Sequence, residues 1–137
     1  MNSTAPFLLC QKLLPSMKRK QWGRVINISS RAGRTYSPRA GAHYSASKAA
    51  VIGMTRKLAG DYAAFGITAN CIAPGQIDTP LASTSSPEVL ADAARRIPAA
   101  RLGSVSEIAS AVLYLSSVDA GFVNGTVIDI NGGETMA

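Results

Sequence analysis

The sequence predicts an α/β fold, a partial doubly wound parallel sheet of three strands with flanking helices, formed by one domain over residues 1–137. Three observations lead there. Three short β-branched runs, "RVINISS", "ITANCIA" and "GTVIDING", alternate with longer stretches of helical periodicity. Glycine or proline punctuates each change of pattern. Strands separated by helices make β-α-β units, whose right-handed crossovers place the strands side by side and parallel.

Residues Ala5 to Lys20 place Phe7, Leu8, Leu13, Leu14 and Met17 at helical intervals, and Gly23 follows as a stop. "RVINISS" then reads as a buried strand ending in serines, and "RAGRTYSPRAGA" as a loop. From His43 to Phe65 the pattern is helical, with Gly66 closing it. "ITANCIA" is the second strand, stopped by Pro74 and Gly75. Ser86 and Pro87 open a short helix, and Ser104 with Glu107 forms a capping box ahead of the apolar run Ile108 to Leu115. "GTVIDING" is the third strand, with Gly132 and Gly133 at its end.

Composition removes several classes. The chain is 47% apolar and 16% charged, which fits a packed fold and excludes a disordered or collagen-like one. No run approaches the ~18 apolar residues of a spanning helix, and the N-terminus lacks signal-peptide order, so a soluble, cytoplasmic protein is expected. Cys10 and Cys71 stand singly, without spacing for a metal or a disulfide framework, and read as buried thiols. Charge is uneven: Met1 to Gly60 holds eleven Lys or Arg and no acid, while all eight acids follow, among three arginines. Either an anionic partner or solvated helix faces would account for this. No aromatic residues alternate with the bases, so nucleic acid is not an expected partner, nor is a membrane.

Ligands of such sheets collect at the carboxyl ends of the strands, where Ser29, Ser30, Pro74 and Gly75 fall. No G-x-G-x-x-G or P-loop pattern accompanies them, so the N-terminal nucleotide-binding half is expected to be absent. Tyr44 and Lys48 stand four apart, on one helical face, able to project toward the end of the preceding strand. A free phenol keeps its proton at neutral pH, and an adjacent ammonium favours the phenolate, so the pair suits acid/base chemistry at an oxygen. The Ser30 hydroxyl is the nearest candidate to hold that oxygen.

With these residues in place the chain resembles the short-chain dehydrogenase/reductase family, whose nucleotide half has the Rossmann-like fold. Its ordered motifs match Asn27 to Ser30 (N-x-S-S), Tyr44 to Lys48 (Y-x-x-x-K), Pro74 with Gly75, and Gly132 with Gly133. The resemblance implies that Tyr44 gives or takes the proton and Lys48 assists it and holds the nicotinamide ribose. It implies that Ser30 orients the substrate carbonyl, that Asn2 supports a relay water, and that Pro74, Gly75, Ile77 and Thr79 line the nicotinamide side. The cofactor would be NAD or NADP, weakly bound by this chain alone, with no metal. The substrate would be a small ketone or secondary alcohol, as in 3-oxoacyl reductases or, next, sugar and polyol dehydrogenases, selected by Leu81 to Ala100. A homo-oligomer, dimer or tetramer, is implied; the alternative is a non-catalytic fragment acting only through subunit association. Two departures stand out: Ser30 precedes Tyr44 by 14 residues rather than the family's common 13, and the arginines of carrier-protein reductases are replaced by Gln21 and Phe65.

Overall fold

A computed structural model describes residues 2–80 and 82–136. Helix α1 (Thr4–Lys20) leads into strand β1 (Gly23–Ile28), and helix α2 (Ala42–Tyr62) into β2 (Ile67–Pro74). Helices α3 (Pro87–Arg95) and α4 (Val105–Ser116) precede β3 (Val127–Ile130). The three strands form one parallel sheet in the order β1-β2-β3, with Gly23 beside Ile67 and Cys71 beside Val127. The α/β expectation holds.

Strand β2 is central and buried along nearly its whole length, as its apolar run demands. Ile67 joins Cys10 and Leu14 of α1, while Cys71 joins Val51 and Ile52 of α2. Ile67, Ile72, Leu115 and Val51 are at most 2% exposed, each worth about 1.5–3 kcal/mol of burial. The buried Asn70 donates to Val123 O (2.8 Å) and accepts from Thr126 N (3.1 Å), which ties the connection after α4 to the sheet. Both cysteines are buried thiols, and that burial pushes each one up in pKa, opposed at Cys71 by a hydrogen bond with Thr55.

Helix ends follow their local chemistry, with one correction. Gly23 is not the stop of α1: the helix ends at Lys20 with Gln21 left-handed (φ 54°), its N–H donating to Lys18 O. Gly23 instead opens β1, where an added Cβ would press on Met17. Gly66 does close α2, after a 3-10 turn over Ala63–Phe65, with φ 68°. Ser86 caps α3 and the Ser104–Glu107 capping box starts α4. Arg101 first, then Ser104, holds the Glu107 carboxyl down at about 2.

Four of the eleven bases in the first part of the chain form ion pairs with the acidic remainder among the described residues. Arg31 meets Glu134 (3.1 Å), Arg34 meets Asp129 (3.1 Å) and Arg39 meets Asp92 (3.6 Å). The loop between β1 and α2 is thereby fastened to the C-terminal segment. Among the described residues, no helix is long and apolar enough to cross a membrane.

Candidate active site

Three contacts set α2 against the end of β1, and with it the Tyr44–Lys48 face. Asn27 of β1 donates to Thr55 Oγ1 (2.9 Å), which in turn donates to Val51 O (2.7 Å) within α2. The buried Ser29 donates through Oγ to Lys48 O (2.8 Å). The 3-10 turn Arg31–Gly33 comes so close that a Cβ on Gly33 would lie 2.7 Å from the Lys48 carbonyl carbon. Serine, asparagine and glycine of the "NISSRAG" stretch thus act as spacers between strand and helix.

Ser30, by contrast, sits at the rim. Its Oγ accepts from Ala32 N (3.2 Å) and so starts the 3-10 turn, and its O–H remains a donor for a ligand. Ser30, Tyr44, Pro74, Gly75 and Gln76 line one cavity of about 370 Å³ at the carboxyl ends of β1 and β2. Lys48 lies one turn along α2, its Nζ donating to Ile28 O (2.9 Å) and lying 5.7 Å from the centre of the Tyr44 ring. Among the described residues one of its three N–H bonds is used, at Ile28 O, leaving two for other oxygens.

The remaining sequence-predicted residues are more dispersed. Ile77 pairs with Gly103 in a short parallel bridge, and Thr79 Oγ1 accepts from Ala82 N (3.1 Å). Neither lines the cavity, nor does Lys48. Asn2 lies in the turn before α1 and donates to Ser47 Oγ (3.4 Å), which donates to Tyr44 O (2.7 Å). Of the segment Leu81 to Ala100, Leu81 is outside the described residues. Sequence reasoning missed Arg31 and Arg39, which also line the cavity. The available signal was topological, since the loop between N-x-S-S and Y-x-x-x-K, which carries both bases, lies beside the site.

A family model described as Enoyl-(Acyl carrier protein) reductase matches residues 1–135. The chain belongs to the short-chain dehydrogenase/reductase family. It is 42% identical over 132 residues to the 3-oxoacyl-(acyl-carrier-protein) reductase FabG of Haemophilus influenzae, covering 96% of this chain and 54% of that protein. A 3-oxoacyl-(acyl-carrier protein) reductase of Brucella melitensis with bound NAD superposes with a TM-score of 0.91 at 41% identity, over 99% of this chain and 50% of that one. A gluconate 5-dehydrogenase of Burkholderia cenocepacia, in complex with NADP and tartrate, gives 0.91 at 34% identity, over 99% and 54%. The chain therefore spans about half the length of these short-chain dehydrogenase/reductase relatives.

Proposed function

We propose that this chain is the catalytic half of a nicotinamide-dependent oxidoreductase that interconverts a ketone and a secondary alcohol. The observation that carries the reading is the convergence of Ser30, Tyr44 and the Pro74–Gly75 turn on one cavity, with Lys48 fastened one turn behind. A bound nicotinamide dinucleotide would supply or accept the hydride at the carbonyl carbon. Tyr44 would hand a proton to the oxygen, or take one, with the Lys48 ammonium 5.7 Å from its ring centre. Ser30 would donate to the same oxygen and hold it in place. The donor set suits the nicotinamide ribose, because Lys48 keeps two N–H donors that a diol could accept. Pro74, Gly75, Ile77 and Thr79 would form the nicotinamide side, and Asn2 would act through the Ser47–Tyr44 contact.

A 3-oxoacyl substrate is supported by the FabG relative and a sugar acid or polyol by the gluconate dehydrogenase. NAD and NADP each have a relative holding them. The 137 residues include no glycine-rich turn to hold the pyrophosphate, so the chain alone is expected to bind NADH and NADPH weakly and to be inactive. Calorimetric titration checks this, and low-micromolar affinity for the isolated chain would refute it. A chimera carrying the N-terminal half of the Haemophilus FabG ahead of Met1 should bind the cofactor and reduce ketones; a folded, cofactor-binding chimera without turnover would overturn the catalytic reading.

Association is the second reading, favoured by exposed Phe7, Leu8, Leu9 and Leu13 on α1. A groove of about 670 Å³ between α1 and α2, lined by Phe7, Met54, Leu58 and Tyr62 among others, offers a face for a second copy. Sedimentation should show a dimer or larger species at micromolar concentration. A monomer there would exclude it.

A further inference from the structure

The geometry points to a substrate that carries a carboxylate a few atoms from its reacting carbonyl, recognised by Arg39. This rests on the oxidoreductase reading of the Tyr44 cavity and specifies its substrate class. Two guanidinium side chains, Arg31 and Arg39, line that cavity, and among the described residues no acidic one does. A smaller adjoining pocket of about 170 Å³ shares Arg31, Arg39 and Gln76 with it and adds Arg96 and Glu134. Among the described residues lining the two pockets, three guanidiniums thus stand with one carboxylate.

The ion pairs distinguish the arginines by how fully each is already used. Arg31 is nearly enclosed, its side chain 12% exposed and paired with Glu134 at 3.1 Å, so it fastens the loop. Asp92 faces three guanidiniums at once: Arg96 at 2.7 Å on Oδ2, Arg39 at 3.6 Å on the same oxygen, and Arg95 at 3.6 Å on Oδ1. The Arg96 contact is a hydrogen-bonded pair; the Arg39 contact is longer than a hydrogen bond. Arg39 is therefore the weakly tethered cation of the cavity, and its planar fork matches a carboxylate in two parallel bonds.

Size sets where the anion must be. A cavity of about 370 Å³ is at the small end of ligand sites, so an anion on Arg39 belongs to the same small molecule whose oxygen meets Tyr44. A phosphate at the far end of a long carrier arm would lie outside it. A thioester masks the carboxyl group that Arg39 would bind, so short free oxo acids and hydroxy acids are the preferred class.

The test is binding of matched ligands to the full 137-residue chain, followed by NMR shift titration. 3-Hydroxybutyrate and butane-1,3-diol share a carbon skeleton and differ in the carboxylate, and inorganic phosphate is the third probe. The acid should bind about tenfold more tightly than the diol, the preference shrinking as salt rises. Arg39→Gln should remove that preference with an unchanged circular dichroism spectrum, since the side chain is 43% exposed, and Arg39→Lys should keep part of it. Equal binding of acid and diol, no binding of either, or a preference that survives Arg39→Gln would overturn the inference, and phosphate displacing the acid with higher affinity would reassign the site to a phosphoryl group. Acid binding through Arg39 in a protein whose cofactor-competent chimera has no turnover would instead refute the oxidoreductase reading, leaving anion recognition intact.

Discussion

Tyr44→Phe is expected to reduce kcat by roughly 10² to 10⁴-fold in the cofactor-competent chimera, the range that a general acid or base contributes. Only the phenolic oxygen is removed. The ring stays on the same face of α2, half-buried at the rim of the cavity, so folding and dinucleotide affinity should hardly change. The pairing with Lys48 sharpens the test, because Lys48→Met removes both the ammonium 5.7 Å from the Tyr44 ring centre and a donor to the β1 carbonyl of Ile28. Tyr44→Phe should therefore damage kcat alone, whereas Lys48→Met should damage kcat and raise the cofactor dissociation constant together. Stopped-flow turnover beside calorimetric titration separates the two. Retention of more than about a tenth of kcat by Tyr44→Phe would remove the phenol from the proton-transfer role.

Strand and helix types were legible because each segment carries one clear period, and the three parallel strands occur where the β-branched runs stand. The caps at Ser86 and Ser104 were legible for the same reason: their chemistry is local. Gly23 was misread because glycine after a helical run ordinarily marks a stop, while here its value is the space it leaves for Met17 across the turn. Such a contact is tertiary and leaves no periodic trace. The ion pairs from Arg31, Arg34 and Arg39 were likewise hidden, since their acids lie 53 to 103 residues away and only the fold brings them together. For the site, ordered motifs placed Ser30, Tyr44, Pro74 and Gly75 in one cavity. The division of labour between adjacent serines was legible too, with Ser29 expected to be structural and Ser30 to meet the substrate oxygen; what the motifs could not convey was the contact by which Ser29 holds α2, through Lys48 O.

That division depends on how closely the turn after β1 approaches α2, and Gly33→Ala should expose the dependence. A Cβ at this position would lie 2.7 Å from the Lys48 carbonyl carbon and 2.8 Å from the Ala49 nitrogen, both backbone atoms that no rotamer change can move aside. Gly33 is not among the residues of positive φ, so the added methyl acts through space alone. Overpacking of this kind costs about 1–3 kcal/mol, measurable by urea denaturation. Relief comes only by moving the 3-10 turn, which carries Ser30 at its start, away from the helix that carries Tyr44 and Lys48. A displacement near 1 Å between the group that holds the carbonyl oxygen and the group that protonates it lowers turnover by about 10²-fold. Gly53→Ala is the control, because a Cβ there meets nothing within 4 Å and alanine is the better helix former by about 0.5–1 kcal/mol. That substitution should stabilise the fold and leave kcat alone. If Gly33→Ala proves as harmless as Gly53→Ala in both stability and turnover, the close approach of turn and helix does not position the site.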